Sequence, residues 1–379
     1  MRDDKKYLVV TPSVRDFPYK YFEPLQEKVD HIIIDDSRGK VDRSAYADRT
    51  IIATDEFIKE YLGVKRRPTL IPSGNPSCKN FGLLYAWRQR YDVVILLDDD
   101  VDLRVHNQDF AKHVTIGEKV RAKSFTSESG WYNPMVQLMG KETNLFSRGY
   151  PYEFRQEKIK FLSTDMEVEP ALNAGLWYRV PDINGVDKMH MAPDYIGSIT
   201  SKGLDDFGKP WFVPEIKQCS PSSVIVRDGQ YLPLSIMNVQ LDRKLIPAFW
   251  QPPDYTLAWN FKIRRHDDIW SMSFLKKAME HFRDVVTVGL PMVSHMKFGN
   301  PINEVVNEHC SNLIQPWVVA TIRAAANSMR GNYGSYAEYA IDLADRMQHS
   351  VFMVGTPGVW REIIQDYARN AGEWARLFL

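Results

Sequence analysis

Short apolar runs, each closed by polar residues, organise the first hundred positions of this chain. Tyr7 to Val10 ends in Thr11-Pro12, and the β-branched run His31 to Ile34 ends in Asp35-Asp36. Asp92 to Leu97 is aliphatic after its first residue and ends in Asp98-Asp99-Asp100. Such runs predict buried strands of a mainly parallel sheet. Their polar stops then lie at the carboxyl ends of strands, the edge where open α/β sheets bind ligands. Between the second and third runs the sequence predicts a helix from Pro76 to Arg90. Asn75 serves as its N-cap, Pro76 as its first residue, and Phe81, Leu84, Tyr85 and Arg88 fall at helical spacing. The result is a nucleotide-binding α/β half.

The stretch from Val105 to Leu232 is irregular and rich in Pro, Gly and aromatic residues, so it predicts long loops and short strands covering the sheet edge. Trp270, Phe274, Leu275, Ala278 and Met279 predict a helix over Ile269 to Phe282, and Val285 to Leu290 another strand. Ser335 and Glu338 form a capping-box pattern ahead of one tail helix. Trp360, Ile363, Ile364, Tyr367, Ala371, Trp374 and Phe378 share the face of a second. These faces pack on their own domain or serve as a subunit contact in a homo-oligomer; both readings stay open. The expected organisation is an α/β domain over residues 1–301 and a helical C-terminal extension over 302–379.

Composition narrows the class. Lys plus Arg and Asp plus Glu balance at 48 each, which gives no global electrostatic reason to bind nucleic acid. Cys78, Cys219 and Cys310 are far apart and make neither a disulfide framework nor a paired metal motif, which fits a reducing, cytoplasmic setting. Met1 to Lys6 is charged with no signal-type apolar core after it, and no stretch reaches bilayer-spanning length, so neither secretion nor membrane embedding is expected.

Candidate chemistry centres on Asp98-Asp99-Asp100. Adjacent carboxylates repel, and a hard divalent cation bridging to phosphate oxygens explains them better than a solvated acidic turn does, because a buried strand precedes them. Alternation lets Asp98 and Asp100 face one way, which makes them the preferred metal ligands. His295 can complete the ligand set and Lys297 can neutralise phosphate, although a lone histidine is more often structural. In Arg264-Arg265-His266-Asp267-Asp268, Asp268 is either the N-cap of the following helix or, with Asp267, a carboxylate beside a ligand. Arg148 and Arg155 flank a Gly-Pro turn and read as a phosphate clamp or as two ordinary surface arginines.

In this order the segments resemble the reversibly glycosylated polypeptides, or UDP-arabinopyranose mutases. The matching motifs are Thr11-Pro12-Ser13-Val14-Arg15, Asp35-Asp36-Ser37-Arg38-Gly39, Ser77-Cys78-Lys79-Asn80-Phe81-Gly82 and Asp98-Asp99-Asp100. They continue with Arg148-Gly149-Tyr150-Pro151 plus Arg155, Gly175-Leu176-Trp177 with Pro181-Asp182, Met237-Asn238 with Asp242-Arg243, and Asp267-Asp268-Ile269-Trp270. Gly289-Leu290-Pro291 and Ser294-His295 through Asn300-Pro301 complete the series, so the resemblance covers residues 7–301.

The resemblance implies a GT-A-like glycosyltransferase fold, Mn2+ or Mg2+, and a UDP-sugar. Members interconvert UDP-arabinopyranose and UDP-arabinofuranose and become reversibly glycosylated on the arginine that corresponds to Arg148. Arg155 corresponds to a second arginine tied to activity. Carried over, the catalytic set is Arg148, Arg155, Asp267 and Asp268. The nucleotide set is Thr11, Arg15, Asp35, Lys79, Asp99 and Lys297, and the metal set is Asp98, Asp100 and His295. The chain departs from the family at Val101, Lys79-Asn80 and Ala174, where the family has cysteine, arginine and histidine, and diverges over Pro193 to Val226. A transferase that moves the sugar to a separate acceptor and a non-catalytic scaffold subunit are the competing readings. An acceptor-free incubation separates the first from a mutase, and UDP binding separates the second.

Overall fold

A computed structural model describes residues 1–2, 4–15, 19–25, 29–41, 50–105, 108–140, 143–191, 222–257, 262–295 and 300–379. The three apolar runs become strands β1 (Tyr7–Ser13), β2 (Asp30–Asp35) and β4 (Val93–Leu97), with β3 (Thr50–Ala53) beside β2. All four are parallel, in the order β3-β2-β1-β4. Alternation divides their side chains between two cores. Leu8, Val10, Ile32, Ile34, Val94 and Leu96 line one face, and Val9, Ile33, Val93, Ile95 and Leu97 the other. All are essentially water-free, and burying each aliphatic side chain contributes about 1.5–3 kcal/mol.

Helix α1 (Asp55–Leu62) follows β3, and α2 (Lys79–Arg88) lies against β1. The expected helix from Pro76 starts as a 3-10 turn, Pro76–Cys78, with Asn75 Oδ1 accepting from Ser77 N at 2.9 Å. It stops at Arg88 because Arg90 turns into the left-handed region (φ 58°). At Gly82 an added Cβ would sit 2.3 Å from Val10 Cγ1, so only glycine lets α2 approach β1 this closely.

The irregular middle is not an edge cover, and that expectation is corrected. After β5 (Val101–Asp102) come β6 (Val120–Thr126), α3 (Met135–Met139), β7 (Lys160–Val168), β8 (Pro170–Arg179), α4 (Gly185–Met191), β9 (Ser223–Val226) and β10 (Asn238–Asp242). A small hairpin, β11 (Tyr255–Thr256) with β12 (Lys262–Ile263), precedes α5 (Asp267–Phe282) and β13 (Val285–His295). The 11-stranded sheet continues from β4 as β10-β8-β13-β9-β6-β7, with β10 antiparallel to both β4 and β8. Strand β8 therefore runs through the middle of the sheet. Its Asn173-Ala174-Gly175 centre hides it from a hydrophobicity pattern. Asn173 is buried but satisfied, donating to Leu290 O and accepting from Thr287 Oγ1, each at 2.8 Å.

Strand β13 does not end at Leu290 as expected. It passes a cis Leu290-Pro291 bond and a register shift and continues to His295, which pairs with Val101 of β5. The tail is helical, with α6 (Pro301–Ser328), α7 (Tyr336–Met353) and α8 (Gly358–Arg376). Ser335 Oγ caps α7 by accepting from Glu338 N, and Glu338 Oε2 accepts from Gly334 N. The apolar faces of α7 and α8 cover the chain's own core: Trp374 Nε1 donates to Ile246 O at 2.9 Å and Tyr367 Oη to Trp270 O at 3.1 Å. Of the two readings of these faces, packing on their own domain is the one the structure shows. No described helix is long and apolar enough to cross a membrane.

Candidate active site

The carboxyl ends of β1, β4 and β13 bring the acidic triplet and its neighbours together. Asp98 and Asp100 are the more open carboxylates, with side chains 34% and 18% exposed against 9% for Asp99, as alternation required. Each meets a cation. Lys79 at the start of α2 is fully buried; its ammonium donates to Asp98 Oδ1 at 2.5 Å and to Ile236 O at 3.3 Å. Arg15, just past β1, bridges Asp99 and Asp100, the latter at 2.8 Å. Ser13 Oγ donates to Asp99 Oδ2 at 2.9 Å. Burial pushes the Asp99 carboxyl up, and the charges of Asp100 and Asp98 add to this, outweighing Arg15.

His295 stands against Asp100, with Nε2 3.8 Å from Asp100 Oδ1. Its Nδ1 lies 2.9 Å from Val180 O, a group that only accepts, so Nδ1 carries a proton. Nε2 is then the nitrogen on the Asp100 side and, in the neutral ring, the one left to accept a proton or a metal. Burial alone would lower the His295 pKa; Asp100 outweighs it and the pKa is raised.

Other expected nucleotide contacts fall elsewhere. Thr11 is corrected: it is fully buried, with its hydroxyl 2.9 Å from His31 Nε2, so its side chain faces into the protein and away from the cleft. Asp35 is buried and its Oδ1 accepts from Ser37 N at 3.0 Å, shaping the loop after β2. Lys297 lies outside the described residues.

A second cluster surrounds Arg148. Its guanidinium donates from Nε and Nη2 to Asp182 Oδ2 at 3.1 and 2.9 Å, and from Nη1 and Nη2 to Asp268 at 3.0 and 2.5 Å. Nη1 also donates to Arg265 O at 2.7 Å. Arg155 turns to a different carboxylate, Asp187, at 3.2 Å and stacks 4.0 Å from the Tyr152 ring centre. The two arginines therefore do not form the expected phosphate clamp, because buried carboxylates claim both. Asp268 is not the N-cap either. Helix α5 begins two residues earlier than expected, behind His266, which makes no side-chain cap, and Asp268 is held by Arg148.

Asp267 sits between the two clusters. It is 8% exposed, and burial, then the charge of Asp268, push its carboxyl up to about 7 against the opposing pull of Arg148 and Lys79. A group poised there can give or take a proton near neutrality.

Sequence reasoning assigned no role to Asp182, Arg265, Glu304 or Glu308. Arg265, in the left-handed region (φ 56°), reaches Asp182 and Glu304 at 3.4 Å and Glu308 at 3.0 Å. Glu304 also holds the buried Lys188 at 2.6 Å. Pro181-Asp182 stood among the matching motifs, which was the available signal for Asp182. The glutamates carried none, since they lie in α6, more than a hundred residues from Arg148.

A parallel β3-β2-β1-β4 half, an acidic triplet behind β4 and an antiparallel strand beside it define a GT-A-like glycosyltransferase fold. Curated relatives sharpen that class. The chain is 23% identical over 361 residues to the probable UDP-arabinopyranose mutase 1 of Pisum sativum, covering 89% of this chain and 87% of that one. It is 23% identical over 364 residues to UDP-arabinopyranose mutase 1 of Oryza sativa subsp. japonica, with the same coverage. The chain is thus similar over most of its length to curated UDP-arabinopyranose mutases. No family model matches it. Among solved structures, glucosyl-3-phosphoglycerate synthase from Mycobacterium tuberculosis, crystallised with Mn2+, UDP-glucose and phosphoglyceric acid, aligns over 82% of this chain and 79% of its own at 12% identity. Its TM-score is only 0.35, so it adds nothing to the assignment.

Proposed function

We propose that this chain is a UDP-sugar mutase that interconverts UDP-arabinopyranose and UDP-arabinofuranose. The observation that carries the reading is the end-to-end match to mutases joined to a half-open acidic site at the sheet edge. Asp98, Asp100 and His295 would hold Mn2+ or Mg2+. As placed, no three such ligands among the described residues are grouped to hold an ion, with Asp98 on Lys79 and Asp100 on Arg15; these two part-exposed carboxylates would exchange those partners to accept a hard cation. When bound, such an ion supplies positive charge beside the diphosphate.

The chain's own residues account for the rest. Arg15 is 41% exposed and can exchange its carboxylate partners for phosphate. Lys79 stays buried and keeps Asp98 oriented; Asp99, facing inward, anchors Arg15 and Ser13. Asp35 shapes the loop that would receive the nucleoside. Ring contraction moves one proton: the sugar 4-hydroxyl loses it as its oxygen bonds to C1, and the former ring oxygen gains it as its own bond to C1 breaks. The Asp267 carboxyl, with its pKa near 7, takes and returns that proton. Asp268 and Arg148 brace this carboxyl from behind, while Arg155 holds Asp187. Residues 1–301 carry the site, and the helices of 302–379 support it through Glu304 and Glu308.

Incubating the protein with Mn2+ and UDP-arabinopyranose in the absence of any acceptor tests this directly. UDP-arabinofuranose is the expected product. Formation of UDP and free arabinose alone would reject a mutase and favour transfer to a separate acceptor.

A further inference from the structure

We infer that Gln251 is a sugar-binding residue, whose side-chain amide takes two neighbouring hydroxyls of the sugar in a UDP-sugar. The inference rests on the UDP-sugar reading above and adds to it the group that tells the sugar nucleotide from bare UDP.

Gln251 lies on the segment that leads from the 3-10 turn Arg243–Ala248 to β11. Three successive carbonyls of this segment are each claimed by a side chain. Ser271 Oγ donates to Trp250 O at 2.6 Å, Asn80 Nδ2 to Gln251 O at 2.8 Å, and Ser77 Oγ to Pro252 O at 2.5 Å. Gln251 N donates back to Asn80 Oδ1 at 3.1 Å, so one asparagine grips both main-chain groups of Gln251. Ser77, Asn80 and Ser271 are themselves fully buried. Asn80 belongs to a pair at which the sequence departs from the mutases it resembles, so this grip is the chain's own.

The side chain at the centre of the grip is treated in the opposite way. Gln251 is fully buried, and among the described residues neither its Oε1 nor its Nε2 has a hydrogen-bond partner. An unpaired buried amide is costly, and native proteins rarely keep one without a use for it. A residue that only filled space here would be apolar, because methionine occupies nearly the same volume without that cost. The pinned main chain cannot shift to relieve the amide, whereas the side-chain torsions let it turn to an incoming group.

Position supplies that group. Asn80 follows Lys79, the partner of Asp98, in the first turn of α2. Ser271 stands one turn beyond Asp267 in α5 and shares its hydroxyl with the carbonyl of Asp267. Gln251 is therefore held between the helix starts that carry Lys79 and Asp267, with the acidic triplet on one side and the proton-transfer carboxyl on the other. Chemistry then selects among the groups of a UDP-sugar. An amide offers one acceptor and two donors. Phosphate oxygens only accept and would leave Oε1 unpaired. A hydroxyl both donates and accepts, so two adjacent sugar hydroxyls satisfy both ends of the amide.

Calorimetric titration of UDP, UDP-arabinopyranose and UDP-glucose in the presence of Mn2+, on wild type and Gln251→Met, tests this. The variant is expected to bind UDP within about twofold of wild type and to lose at least about tenfold in affinity for the sugar nucleotide. Its ligand-free melting temperature should stay level or rise, because an unpaired amide has been removed. Unchanged affinity for both sugar nucleotides would overturn the inference and leave the amide to a buried water. A lower melting temperature with equal losses for UDP and for sugar nucleotide would overturn it in favour of a structural amide. So would a wild type that gains no affinity over UDP from either sugar. A wild type that makes no arabinofuranose rejects the mutase reading alone, because these titrations need no product to form.

Discussion

The chain carries two charge clusters built from the same residue types, aspartate against arginine and lysine, with opposite properties. Around Asp98-Asp99-Asp100 the ions are half-solvated: Asp98 is 34% exposed and Arg15 41%. Around Arg148 they are closed: Arg148, Asp182 and Asp268 have side chains 9%, 4% and 2% exposed. A half-solvated ion pair is worth little and exchanges partners readily. A buried, fully hydrogen-bonded pair contributes little net stability when whole, but breaking it leaves a naked charge in a dry site. The first cluster suits ligand exchange, and the second suits holding a shape.

The largest effect expected from this contrast is in the closed cluster. Arg148→Met leaves Asp182 and Asp268 without their common cation, and urea unfolding should show a loss of about 3–5 kcal/mol. A loss below about 1 kcal/mol would place Arg148 with the exchangeable ions.

Asp267, between the clusters, gives a pH-dependent effect of intermediate size. Its folded pKa, about 7, lies above the ordinary carboxylate value, so the folded protein keeps a proton that the unfolded chain has already lost. That contribution to stability is whole below about pH 4 and is lost as the pH rises through 7. Asn at this position does not titrate. The stability of Asp267→Asn relative to wild type should therefore increase by about 3 kcal/mol between pH 4.5 and pH 8, measured by denaturation at both. A difference independent of pH would contradict the burial of this carboxyl.

The smallest effect belongs to the open cluster. Arg15→Gln should change stability by less than about 1 kcal/mol, and added salt should shrink even that. A large, salt-independent loss would make Arg15 structural.

The two clusters also differed in how readably the sequence announced them. The open one stands at the ends of β1, β4 and β13, and two of those strands are uninterrupted apolar runs with polar stops. Their burial on both faces made the parallel half of the sheet, and Asp98 to Asp100 with it, readable from local pattern alone. Strand β13 was only half readable, because Pro291 interrupts it before His295. The closed cluster joins residues 34 and 120 positions apart in the chain, which no local pattern can reveal.

Helix α6 shows the same physics. Its buried stripe runs Glu304, Glu308, Ser311, Gln315, Val318, Ile322, Ala325, at regular helical spacing. The first four are polar because they serve the cluster rather than the core: Glu304 and Glu308 meet Arg265, Ser311 accepts from Arg264 N, and Gln315 donates to Gly149 O. A hydrophobic periodicity cannot show a stripe whose first half is built to bind charge. Strand β8 was missed for a related reason, since its central Asn173 is buried by virtue of its hydrogen bonds.

Calorimetric titration of UDP in the presence of Mn2+, run on wild type, Asp100→Asn and Arg148→Lys, separates the roles of the two clusters most directly. Asp100→Asn should lose at least about a hundredfold in affinity, roughly 2.7 kcal/mol, while Arg148→Lys stays within about twofold of wild type. Unchanged binding in Asp100→Asn together with lost binding in folded Arg148→Lys would contradict the assignment of ligand chemistry to the open cluster and of support to the closed one.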